Sequence, residues 1–269
     1  MMSVLIATMK RNRIIAKRVF PWSFIVERFI NGFFIVLSSF FVYYYLFRRG
    51  LDPSFTMYTG NTNYLGFIIL GAADYTFAVS ILMNTGRSLM NELREGTLET
   101  LLLAPASRIG YFLGTFVEQI GRSSLQFIGI LVMGWLLGIH FPSINIGDTL
   151  LVFLLSLVSF FGMGICLAGL MLHLRDTYIT QNTLFIIMSF LSGIAFPVQY
   201  LPYWLQTVSH LFPLSSSLKL FRYVILSGHS LTSHLDLVLE LAGLSIVYGF
   251  IGLWWLAKLE KKLLENMFA

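Results

Sequence analysis

Apolar positions along this chain fall into long, nearly unbroken runs rather than short alternating ones. The runs near 24–46, 63–86, 111–137, 149–172, 179–197 and 236–257 are each long enough to cross a hydrocarbon layer of about 30 Å at about 1.5 Å per residue. The pattern predicts an all-α integral membrane protein, a single transmembrane domain over 1–269 with six transmembrane helices. Two stretches depart from it by mixing charge into an apolar periodicity. At 1–22, Lys10, Arg11, Arg13, Lys17 and Arg18 are interleaved with Ile14, Ile15, Val19 and Phe20, which suits an N-terminal interfacial amphipathic helix ended by Pro21-Trp22. At 87–104 a 3.6-residue period puts Glu92, Glu95 and Glu99 on one face, with Met90, Leu93, Thr97 and Leu101 roughly opposite. Such an acidic stripe either offers its charge to another protein or packs beneath its own bundle.

The stretch 198–235 is too apolar for a free loop and too interrupted for a span. Pro197, Pro202 and Pro213 each remove a backbone donor and halt a helix, so two short helices dipping back into one leaflet are expected before the last span, with Tyr203 and Trp204 at headgroup depth.

Composition strengthens the membrane assignment. The chain is 57% hydrophobic and 12% charged, with a mean hydropathy of +0.77, whereas soluble domains are roughly 45–50% apolar and about 25% charged. No short apolar core with a small-residue cleavage site leads the sequence, so the first span is expected to be retained. The net charge of +5 is concentrated near the ends, which points to anionic lipid and not to nucleic acid. With the N-terminus inside, Lys10, Arg11, Arg13, Lys17, Arg18, Arg87, Arg94, Arg108, Arg175, Lys258, Lys261 and Lys262 are cytoplasmic, and only Arg48, Arg49, Lys219 and Arg222 are outside. That asymmetry predicts cytoplasmic termini.

Candidate chemistry is sparse. There is no G-x-x-x-x-G-K-[ST] loop to cradle a nucleoside triphosphate, no H-E-x-x-H and no Cys/His grouping at metal spacing, so neither a catalytic nor a metal site is expected. Cys166 is the only cysteine and reads as a small buried hydrophobe. Asp74, near the middle of the second run, costs at least about 2.5–3.5 kcal/mol as a bare charge in lipid. It therefore either faces a translocation route or an inter-subunit contact, or takes a structural hydrogen bond from a neighbouring helix. Glu118 and Arg122, four apart with the acid first, read as a neutralising pair.

Glu95-Gly96-Thr97-Leu98-Glu99, followed by Leu102 and Pro105, resembles the cytoplasmic segment after the second span in type-2 ABC permeases, the membrane subunits of ATP-driven exporters. The run Pro197, Pro202, Trp204 and Pro213, followed by Arg222, resembles the re-entrant hairpin before their last span. The resemblance implies a permease of the drug, antibiotic or polysaccharide export branch in a bacterial-type plasma membrane. Two permeases, copies or paralogues, would each sit on an ABC ATPase subunit that binds MgATP, with no cofactor in this chain. It further implies that Glu92, Glu95, Gly96, Thr97, Glu99 and Pro105 couple to the ATPase. Asn31, Tyr43, Asp74, Tyr75, Asn182 and Ser189 become candidates for the translocation route. The substrate would be hydrophobic or amphipathic (a drug, antibiotic, peptide or lipid-linked molecule). The alternatives are a lipid-linked polysaccharide exporter and an ion-coupled secondary transporter using Asp74.

Overall fold

The structure is a computed structural model that describes residues 2–19, 30, 33–34, 36–46, 53–60, 63–104, 107–139 and 145–268. Pro21, Trp22, Asn31, Arg48, Arg49 and Pro105 lie outside the described residues. All regular structure among those described is helical. In order these are α1 (Met2–Val19), α2 (Val36–Tyr45), α3 (Pro53–Thr59), α4 (Tyr64–Arg94), α5 (Leu98–Leu103), α6 (Arg108–Leu136), α7 (Ile146–Leu174), α8 (Tyr178–Leu191), α9 (Tyr203–Ser209), α10 (Pro213–Ile225) and α11 (Leu235–Phe268).

Helix starts follow local polar chemistry. Asn63, Ser107 and Asn145 each turn a side-chain oxygen back onto the amide of Gly66, Gly110 and Gly147 respectively, satisfying donors that the first turn cannot pair. Pro213 opens α10, where its missing N–H is no loss.

Three of the described helices are long and apolar enough to cross a membrane: Tyr64–Arg94, Ile146–Leu174 and the stretch Leu231–Lys261. They differ in how much they hide. In the most apolar window of α4, 67% of residues are buried, against 22% for the last helix. Helix α4 is thus the centre of the bundle, and α11 is a peripheral member with Leu239, Ile246, Phe250 and Trp254 exposed. Helix α6 is as long as α7 but carries Glu118, Gln119, Arg122 and Gln126 along its length, which makes it more polar; Glu118 and Arg122 pair there.

Two packing devices join the bundle. Phe77 of α4 lies 5.6 Å from the Phe127 ring of α6 and 4.8 and 6.0 Å from Phe153 and Phe160 of α7. Between α7 and α11 the contact is close: a Cβ on Gly252 would stand 2.7 Å from the backbone nitrogen of Cys166. Ser159 and Ser245 hydrogen-bond across the same seam. Small residues let the two backbones approach, a device that serves where lipid supplies no hydrophobic drive between helices.

Three expected boundaries move. The second run does not stop at 86: α4 continues without a break to Arg94, so 87–104 is not one separate helix. The fifth run, expected over 179–197, yields α8 of only 14 residues, about 21 Å long at 1.5 Å per residue. Gly193, at φ 74°, and then Pro197 terminate it. The last helix is longer than 236–257, running to Phe268.

Candidate functional site

Helix α4 ends in a left-handed glycine cap. Gly96 has φ 72°, its N–H donates to the Leu93 carbonyl at 3.3 Å, and the Thr97 N–H reaches the Glu92 carbonyl at 2.9 Å. This paired closure satisfies carbonyls that an α-helix end leaves open, and a residue without a Cβ adopts the required φ at least cost. The 87–104 periodicity places Gly96 within a helix or at a bend in it; the structure uses it to end one helix and set off the next. Helix α5 then starts at Leu98, with Leu98 and Leu102 turned inward and Glu99 and Thr100 exposed.

The three acidic residues separate as a consequence. Glu95 and Glu99 are exposed, but Glu92 is 2% exposed. Glu92 accepts from Arg11 of α1 and from the Thr97 hydroxyl, and from the Tyr111 hydroxyl of α6 at 3.0 Å. The expected acidic stripe of three is therefore corrected to an exposed pair and a buried anchor. Glu92 lies on the inward face of α4 and Glu95 caps its exposed end, while the turn at Gly96 takes Glu99 off the α4 axis. Burial opposes the Arg11 charge, but its bond to Glu92 outweighs that and raises the guanidinium above its ordinary range. This cluster fastens α1, α4 and α6 to the base of the acidic turn.

The far side of the turn is fastened by Arg108. Its guanidinium donates to the carbonyls of Leu101 and Leu102, each at 2.6 Å, and pairs with Glu260 of α11 at 2.8 Å. Arg94 donates to the Thr177 hydroxyl at 2.8 Å, linking the end of α4 to the start of α8. In the sequence Arg94 and Arg108 speak only to topology, and Arg11 to topology and the interfacial helix. The available signal was position, since a basic residue just beyond a short helix is placed to meet its last carbonyls.

Among the described residues, the route candidates make separate local contacts. Asp74 is fully buried and accepts from the Ser217 hydroxyl of α10 at 2.9 Å, with Ser156 of α7 2.7 Å from Ser217. Its neighbour Tyr75 instead donates to the Phe185 carbonyl of α8 at 3.4 Å. Tyr43 stacks on Tyr64, Asn182 is exposed on α8, and the Ser189 hydroxyl bonds within its own helix to Ile186. Asp74 thus takes the interhelical hydrogen bond that was one of the two expectations for it.

At the other end of the bundle, Pro197 precedes a 3₁₀ turn (Val198–Tyr200), Pro202 precedes α9 and Pro213 begins α10, while Tyr203 and Trp204 are 84% and 66% exposed. Arg222 of α10 donates to the carbonyls of Gly193, Ile194 and Phe67 at 2.8, 2.9 and 3.0 Å and lies over the Phe67 ring.

Long apolar helices around a sparse polar interior, with an acidic turn fastened at one end, define a multi-pass integral membrane protein. Residues 4–226 match the family described as ABC-2 type transporter, and the chain belongs to that family. It is similar to the "Probable multidrug ABC transporter permease YbhR" of Escherichia coli strain K12, at 25% identity over 177 residues, which is 65% of this chain and 47% of that protein. The same figures hold for the YbhR of Escherichia coli O157:H7. The chain spans about half the length of these curated relatives.

Proposed function

We propose that this chain is the permease subunit of an ATP-driven ABC exporter, working as a pair of permeases on two separate ATPase subunits that bind MgATP. Family membership supports the class, and the name of the YbhR relatives supports a hydrophobic or amphipathic cargo such as a drug. In this reading the chain crosses the membrane six times with both termini in the cytoplasm, and 198–235 forms a re-entrant hairpin at the outer face. The exposed basic residues of α1 and the acidic turn then share the inner face.

The observation that carries the proposal is the acidic turn itself. Glu95 and Glu99 project from a short element held on both sides, by Glu92 with Arg11 and by Arg108 with Glu260. A rigid, exposed, charged knob is what a partner needs in order to push on a helix bundle, because a loose loop would absorb the movement. When ATP closes the ATPase pair, the push would pass from Glu95, Gly96, Thr97 and Glu99 into α4 directly, since α4 runs unbroken into the turn. It would pass into α6 and α11 through Arg108. Pro105 would complete the element.

The test is a mild-detergent pull-down of the tagged chain with an ATPase assay. A stoichiometric partner bearing a phosphate-binding loop is expected, and Glu99→Lys should lower transport-coupled hydrolysis at least tenfold, about 1.4 kcal/mol or more, with insertion intact. Unchanged coupling in Glu99→Lys would falsify the role of the turn. A chain isolated alone yet active in transport would overturn the ATP-driven reading.

A further inference from the structure

About 40 Å along α4 from Arg94, at 1.5 Å per residue, a pocket of about 70 Å³ opens between α3, the first turn of α4, the end of α8, the 197–199 turn and one face of α10. Its lining includes Lys219 and Arg222 and no aspartate or glutamate. Two donors there lack an acceptor among the described residues. The Ser192 hydroxyl, on a residue 2% exposed, and the Arg222 Nε–H are buried without a hydrogen-bond partner. Lys219, half-buried on α10, adds a second cation to the lining. The carboxylates nearest in effect to Lys219 are Asp236 and Glu240 of α11, which are outside the lining, and Glu240 is taken by His210. Buried donors without acceptors are costly unless something supplies the acceptor.

We infer that this pocket binds an anionic headgroup, a phosphate or similar oxyanion carried on an amphipathic molecule. Charge, hydrogen-bond polarity and size all lead there. Two cations and a hydroxyl donor match the acceptor-only oxygens of an oxyanion, which form charge-assisted hydrogen bonds. A drug-sized ligand needs a cavity of about 300–1,000 Å³, so the space suits a headgroup whose apolar remainder stays outside. The mouth is set at a fitting level. Tyr58 and Tyr200 are exposed at the rim with rings 5.5 Å apart, and Trp204 is exposed close by in sequence; such aromatics lie at the headgroup boundary. The anion preference of this pocket does not depend on the export reading.

The full chain, purified and delipidated in neutral detergent, should be titrated with short-chain phosphatidylglycerol, short-chain phosphatidylcholine and inorganic phosphate, with binding read by native mass spectrometry. Phosphatidylglycerol is expected to bind at least about tenfold more tightly than phosphatidylcholine. The double variant Lys219→Gln with Ser192→Ala should bring that ratio towards one while its unliganded melting temperature stays near the parent's. Displacement of phosphatidylglycerol by inorganic phosphate would identify a site for the anion as such. Resistance to displacement would identify a site for the headgroup together with its chains. Equal binding of the two lipids by the parent, or an unchanged ratio in the folded double variant, would overturn the inference. Loss of ATPase coupling in Glu99→Lys with this preference intact would separate the two ends.

Discussion

Both ends of the bundle contain a helix broken early and held by one arginine, but they solve the problem with opposite electrostatics. At the acidic turn, Arg108 meets the last carbonyls of α5 and is neutralised by Glu260, a contact whose two side chains are about a quarter exposed. At the other end Arg222 meets two carbonyls just past the close of α8 and a third, of Phe67, at the start of α4, stacks on the Phe67 ring and has no carboxylate within ion-pair distance among the described residues. One arginine completes an exposed acidic element; the other leaves a cationic pocket. The same backbone requirement therefore yields a surface suited to a protein partner at one end and a cavity suited to an anion at the other.

The largest effect should come from removing the arginines. Arg222→Leu removes the donor to three carbonyls at once and should cost on the order of 3 kcal/mol. Arg108→Leu, which removes the donor to two close carbonyls and a partly exposed ion pair, should cost on the order of 1 kcal/mol. Thermal unfolding in detergent would measure both, and equal losses would break the comparison. Within the acidic turn, Glu92→Gln should cost about 2 kcal/mol, because Arg11 loses a buried counter-charge. The same assay would read it, with Arg11→Met bringing a comparable loss.

Two left-handed glycines, Gly96 and Gly193, sharpen the contrast further. A Cβ on Gly96 meets nothing within 4 Å, whereas on Gly193 it would stand 2.6 Å from Val198 Cγ2. Gly96→Ala should cost about 1 kcal/mol from backbone strain alone. Gly193→Ala should cost about 1 kcal/mol more through overpacking. Urea or thermal titration of the pair would expose a reversal of that order. The smallest effect should be at Glu95: Glu95→Gln is exposed and should change stability by less than about 0.5 kcal/mol. A loss of coupled ATPase activity in that stable variant would locate its role on the partner side.

How much of this was legible in the residues can be judged position by position. The Pro197, Pro202 and Pro213 pattern marked where helices start and stop, because proline acts locally on its own backbone. Asp74 was legible as a group needing a partner, but Ser217 lies 143 positions away and no spacing rule reaches it. Gly96 was noticed and misplaced: its sequence surroundings favour a helix, and only the closure onto Glu92 and Leu93 makes it a terminator. Likewise the periodicity that put Glu92 with Glu95 and Glu99 assumed one continuous helix, and the break invalidated the assumption.

The sequence by itself determined the membrane class and the helical content, because hydrophobic run length is a local, additive property. Only the tertiary structure decided which charges are exposed and which are buried. Arg11, Glu92 and Tyr111 meet through three separate helices, and so do Lys219, Arg222 and Ser192 with the start of α4. Whether a charge faces a partner, an anion or its own counter-ion depends on those long-range packings, which no local period encodes.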